Sequence, residues 1–176
     1  MRAHLRALEK NILKYRALQM VLILHQTESF RSFLIGSIRH TDFIEDENRL
    51  PINVRGPMEK ALNIIVKDGI ISSTDSDDLQ SIIAMRNTIA HRIHELIVDI
   101  SAPDELSCCD SLYDYFALER FERYRNNIYS GMMRNYVLQI GLRELQFERA
   151  EAAYKEELSR LRRRIDRQYD AHNASL

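Results

Sequence analysis

Apolar residues recur at helical spacing from Leu5 onward: Leu8, Ile12, Tyr15, Leu18 and Leu22. The pattern runs on through Phe30, Phe33 and Leu34 to Gly36, which predicts one long first helix, bent near Thr27 to Ser29. From Arg39 to Arg55 the period is lost among Asp42, Glu45, Asp46, Asn48 and Pro51, so this stretch reads as a long connection with a short turn. Gly56-Pro57 opens a second helix, with Pro57 suited to the first helical position. Leu62, Ile65 and Val66 form its core face, and Gly69 suits its C-terminal cap. The run Ser72-Ser73-Thr74-Asp75 offers N-cap residues, and Asp75, Asp77 and Asp78 complement a helix dipole. A third helix is predicted from about Ser76 to Ile100, broken near Pro103. A fourth covers about Ser111 to Tyr129 and ends at Gly131. A fifth runs from near Met132, past Gly141, towards Asp170, and its part from Leu145 to Arg167 is strongly charged. No internal repeat is visible.

Composition narrows the fold class. The chain has 176 residues, 45% of them hydrophobic, enough for one domain with a real core. Only 5 Gly and 3 Pro leave little room for a sandwich or barrel of many short strands. The expectation is an all-α single domain over residues 1–176: a bundle of about five helices with long first and last members. The motif helix lies at about 76–100 and a charged C-terminal extension at about 145–170.

Charge adds less. With Lys plus Arg at 25 and Asp plus Glu at 26, no global field attracts nucleic acid. The cations divide into 20 Arg and 5 Lys. Arg forks onto carboxylate and phosphate and is also a good helix former. The two cysteines, Cys108 and Cys109, are sequence neighbours, which rarely meet disulfide geometry, and no Cys/His set has zinc spacing. They read as free thiols in a reducing compartment, the cytoplasm. The first ten residues carry charge without a following signal-peptide core, and the most apolar stretch, Met20 to Leu24, is far too short to span a bilayer. No membrane and no cofactor are expected.

Candidate chemistry concentrates on the third helix. At about 100° per residue, Ile82, Met85, Ile89, Ile93, Leu96 and Ile100 share the core sector. Arg86, Asn87, Ala90, His91 and His94 fall in the adjacent sector. One helix face thus carries a guanidinium, an amide and two imidazoles around a small residue. That set suits a phosphodiester. Arg forks onto phosphate oxygens, and a His titrating near neutrality takes or gives a proton.

The stretch Met85-Arg86-Asn87-Thr88-Ile89-Ala90-His91 resembles the R-x4-6-H signature of the HEPN superfamily, in its form with Asn after the Arg. The specific match covers the second and third helices, about a quarter of the chain. The resemblance implies a metal-independent endoribonuclease, a toxin or defence effector, acting as a homodimer whose motif helices face one another across a composite site. It implies His91 as the acid/base, Arg86 as the ligand of the scissile phosphate, and Asn87 as the residue orienting them. An antitoxin or other protein partner would accompany such an RNase. The chain departs from the branch that carries Tyr two positions after the motif His, because Ile93 stands there. His94 has no counterpart in the motif. It lies one turn from His91, where a second-proton role is open.

The spacing alone is a common one, since Arg167 and His172 share it in a polar tail with no site assigned. Asn87, Ala90 and the apolar face of the same helix set Arg86 and His91 apart. A buried polar network fixing helix packing is the alternative for that face, as is a non-catalytic HEPN-like binding or dimerisation module. His4, His25, His40 and His172 lack partners at useful spacing. Arg160, Arg162, Arg163, Arg164 and Arg167 form a basic cluster. Its residues Arg162, Arg163 and Arg164 are candidate RNA contacts, or DNA contacts if the protein is a transcriptional regulator. The competing and preferred reading is a solvated face paired with Glu156, Glu157 and Asp166. Leu145, Tyr154, Leu158, Leu161 and Ile165 form a sparse seam for the first helix or for a partner subunit. The aromatics from Tyr113 to Tyr136, interleaved with Arg120, Arg123 and Arg125, read as core packing with snorkelling Arg rather than base stacking.

Overall fold

The computed structural model describes residues 7–91, 113–139 and 142–174, with side chains at all of these except 86–91, 142–146, 148, 172 and 173. Among the described residues the chain forms five helices and no strand, as the periodicity predicts: α1 (Ala7–Ile44), α2 (Pro57–Lys67), α3 (Ser73–His91), α4 (Ala117–Met132) and α5 (Leu142–Asn173). None of the described helices is long and apolar enough to cross a membrane.

The frame is an antiparallel pair of the two long helices. Asn11 donates to Gln168 at 2.9 Å near one end. His25 stacks on Phe147 with ring centroids 3.3 Å apart near the middle. At the other end the Gly36 backbone approaches the Gln139 side chain, just before α5. Leu158 and Leu161 of the sparse seam are buried, with Tyr154 and Ile165 packed on the same core. The seam therefore closes on α1 within the chain.

α1 passes through Gly36 and ends at Ile44, beyond the expected end. The reason is tertiary. Ser37 and Thr41 are buried: Thr41 Oγ1 donates to the Ser37 carbonyl and accepts the Val137 amide, and the Ser37 hydroxyl accepts the Gln139 amide. The segment after α4 thus lies along the last turns of α1, and α5 begins at Leu142 rather than near Met132. The connection after α1 is shaped by two polar side chains. Buried Asp42 accepts from Arg49 at 2.7 Å and from the Leu50 amide at 3.0 Å, while Arg39 donates to the carbonyls of Leu50, Pro51 and Ile52.

α2 begins and ends as the sequence predicts. Pro57 opens it, and Gly69 at φ 70° closes it with the Ile70 N–H on the Ile65 carbonyl and the Gly69 N–H on the Val66 carbonyl. These two bonds make a Schellman cap. α4 starts at Ala117, later than expected, and continues through Gly131 to Met132. Residues 113–116 dock on α1 instead of joining α4: Tyr113 donates to Gln19 at 2.8 Å, and Gln19 donates to the Tyr115 carbonyl at 2.8 Å.

The core lies among α1, α2, α4, the first turns of α3 and the Leu158 and Leu161 face of α5, with Phe30 and Phe121 in edge-to-face contact at 5.8 Å. The aromatic run from Tyr113 contributes Tyr113, Phe121, Tyr124 and Tyr136 to it. Phe116 and Tyr129 of the same run are exposed.

Candidate functional site

α3 is built outward from a side-chain cap. The Ser72 hydroxyl accepts the Asp75 amide at 3.1 Å, satisfying one of the free N–H groups of the first turn. Leu79 and Ile82 are fully buried, Ser76 is buried, and Ile83 and Met85 pack partly against the core. The helix packs on α1, α2 and α4.

Its hold on α4 is polar. Asp78 receives Arg120 through two bonds, Nε at 2.9 Å and Nη2 at 3.2 Å, and the Tyr124 hydroxyl at 2.7 Å. Arg120 also reaches Asp114 at 2.7 Å, and Asp114 in turn accepts the Phe116 amide ahead of α4. One guanidinium thereby joins α3, α4 and the segment leading into α4. Partial burial alone would raise the Asp78 pKa, but hydrogen bonds from Tyr124 and Arg120 and the Arg120 charge outweigh it and lower it. Burial raises the Tyr124 pKa, and its bond to Asp78 raises it further. The acidic start of α3, read from sequence as a match to the helix dipole, has at Asp78 a specific cationic partner. Asp78 and Arg120 lie too far apart in the chain for any helical period to pair them, so sequence reasoning had no signal for this clamp.

Arg86, Asn87, Ala90 and His91 fall in the final turns of α3, and the backbone stays helical through His91. On that helix Arg86 and His91 are separated by about 7.5 Å along the axis, and Asn87 stands one turn before His91. Their side chains lie outside those described, and His94, Cys108 and Cys109 lie outside the described residues.

Arg162, Arg163 and Arg164 are exposed on α5, whose main packing is with α1. Their surroundings are mixed in charge. Arg160 pairs with Glu156 and lies 3.7 Å from Glu157, and Arg163 bonds the Ser159 carbonyl. Arg162 sits beside Tyr15, whose pKa burial raises and Arg162 partly lowers. Two further clusters escape sequence reading. Gln26, 1% exposed, donates to both Glu122 and Glu151, and Lys155 bridges the same two carboxylates at 2.7 and 2.6 Å. Arg49 gathers Asp42, Glu47 and Asp68 and lies over the Tyr136 ring at 5.3 Å. Both clusters join several helices, and Gln26 Oε1 and Arg49 Nη2 are buried in them without a hydrogen-bond partner. Among the described residues no group of three or more His, Cys, Asp and Glu is arranged to hold a metal ion.

Comparison with known protein families, with curated proteins and with solved structures finds no match to this chain.

Proposed function

We propose that the protein is a metal-independent endoribonuclease of HEPN type, a toxin or defence effector that cleaves RNA as a homodimer. The observation that carries this reading is the placement of Arg86, Asn87 and His91 on one uninterrupted helix whose first half is clamped to α4 through Asp78, Arg120 and Tyr124. A reactive set mounted on a rigid helix keeps its geometry better than one on a loop.

In this reaction His91 takes the proton from a ribose 2′-hydroxyl. The 2′-oxygen attacks the adjacent phosphorus, and the bond from phosphorus to the 5′-oxygen breaks. The departing oxygen takes a proton from the second imidazole of the composite site. Arg86 offsets the charge that builds on the phosphoryl oxygens, and Asn87 orients the pair. The products are a 2′,3′-cyclic phosphate and a 5′-hydroxyl.

Purified protein incubated with RNA in EDTA is expected to cut it, leaving 5′-hydroxyl ends. His91→Ala is expected to lose at least about 100-fold in rate, within the usual span for an acid/base residue. Cleavage that survives in a folded His91→Ala protein would overturn the assignment.

A second reading rests on one observation. Arg86 stands seven residues after Leu79 and four after Ile82, on the line of two fully buried residues. On that reading the motif is a packing network in a non-catalytic binding module. It predicts no cleavage, together with a lowered melting temperature for Arg86→Ala.

A further inference from the structure

α5 changes character along its length. From Arg149 to Glu157 its charges are mixed in sign, and acids pair with bases one turn on, Glu151 with Lys155 and Glu156 with Arg160. From Arg160 to Arg167 five arginines stand against one aspartate. At about 100° per residue, Arg160, Arg163, Arg164 and Arg167 fall in one sector about 100° wide. All four are exposed, on the far side of the helix from Leu158, Leu161 and Ile165, which pack on the core. Arg162 falls outside this sector and hydrogen-bonds Tyr15 of α1.

Like charges three and four residues apart on a helix repel one another. Arg160 has Glu156 as a counter-ion, but Arg163, Arg164 and Arg167 form no ion pair among the described residues. Arg163 and Arg167 each bond a carbonyl one turn back, through Nε alone. The helix dipole favours bases in a last turn, yet α5 runs on to Asn173, so Arg163 and Arg164 stand more than two turns before its end. The chain thus leaves a cluster of like charge for an anion to complete. A bilayer would need apolar side chains beside the charges, and those of this part of α5 face the core. Neighbouring positions in the sector stand about 5–6 Å apart at Cβ, on the scale of successive phosphates along a nucleic-acid strand. Guanidinium forks onto phosphate oxygens. No aromatic residue shares the sector, so nothing there stacks on bases.

We infer that the outer face of α5, at Arg163, Arg164 and Arg167, docks the phosphodiester backbone of a nucleic-acid strand without regard to its base sequence. That the strand is RNA rests on the proposed ribonuclease, for which this face holds substrate away from Arg86 and His91. The phosphate contacts themselves rest only on α5.

The test is binding of the full chain to a fluorescent 2′-O-methyl RNA strand, which lacks the attacking hydroxyl, by anisotropy over a range of salt concentrations. The parent is expected to bind, with log affinity falling against log salt at a slope of about −2 or steeper, for three phosphates on a single strand. The triple variant Arg163→Gln, Arg164→Gln, Arg167→Gln is expected to lose about tenfold or more in affinity at low salt and to flatten the slope by about 2. Its melting temperature is expected to match or exceed the parent's, since repulsion on the helix is relieved, so the loss is not misfolding. Arg55→Gln, Lys60→Gln, Lys67→Gln changes net charge equally on exposed positions in and before α2, and is expected to bind as the parent does. A DNA strand of the same sequence is expected to bind equally at this face, because phosphate contacts do not read the sugar. A parent that does not bind overturns the inference. So does an unchanged slope in the triple variant, or an equal loss in the charge-matched one. Binding to phosphatidylserine vesicles but not to the strand overturns it in favour of a membrane. None of these readouts requires cleavage: RNA cut by folded His91→Ala removes the ribonuclease assignment alone, and strand binding unchanged in the triple variant removes the docking face alone.

Discussion

Gly36 and Gly131 both sit inside helices, and they differ in what a side chain would meet. A Cβ on Gly36 would lie 3.5 Å from the Gln139 Cβ, an ordinary contact. A Cβ on Gly131 would lie 2.6 Å from Cγ2 of Ile70, a branched methyl with little freedom to retreat. Helix propensity favours Ala over Gly at either place by about 1 kcal/mol. Gly36→Ala is therefore expected to raise stability by about 0.5–1 kcal/mol. Gly131→Ala is expected to lower it by about 1–3 kcal/mol through overpacking. In an Ile70→Ala background the second substitution should become neutral or favourable, and denaturant titration of the four proteins measures that coupling. The same residues show why helix ends are hard to place from sequence. A glycine reads as a stop, and only the positive φ of Gly69 makes it one; Gly131 is there to admit Ile70.

At the scale of elements, carboxylates hold the helices in register. Asp78 joins α3 to α4, and Glu151 joins α5 to α1 through Gln26 and to α4 through Lys155. Burial opposes ionisation of Glu151, but the bonds and charge of Lys155 and the bond from Gln26 outweigh it, so its pKa is also lowered. A carboxyl whose folded pKa lies below its unfolded value contributes stability in full above the unfolded value. That contribution is lost as the pH falls through the folded one. Thermal stability is therefore expected to hold near neutrality and to drop below about pH 4. Asp78→Asn is expected to cost about 1–3 kcal/mol at pH 7, since it weakens the acceptor of Arg120 and Tyr124, and to flatten the acid limb. Melting curves from pH 2 to 7 distinguish this from a general acid collapse, in which the variant and parent limbs would run parallel. The clamp was invisible in the sequence because neither pairing is local. The Schellman cap of α2 was legible because a glycine and its neighbours encode it within one turn.

Across the whole molecule, α1 and α5 run the length of the bundle and tie its two ends together. Leu161, 3% exposed and just past the middle of α5, belongs to the same core as Phe30 and Phe121. Leu161→Ala is expected to cost about 2–5 kcal/mol and to shift the whole unfolding transition. Tyrosine fluorescence and far-UV circular dichroism should move together; an early loss of helix signal alone would show that α5 frays separately. Function belongs to this scale as well. The proposed ribonuclease depends on two α3 helices meeting.

The sequence by itself determined the class and the order of elements. A 3.6-residue apolar period, sparse Gly and Pro, and local caps at Ser72, Pro57 and Gly69 act within a few residues of chain, so a one-dimensional reading captures them. It also placed the Arg86-Asn87…His91 motif on a helix. Only the tertiary structure decided where α1 stops, because Ser37 and Thr41 extend it by accepting amides from residues about a hundred positions away. It likewise decided that the α5 seam closes on α1 and that Asp78 serves Arg120. Those outcomes arise from contacts between elements, whose energies depend on distances in space that no local pattern carries.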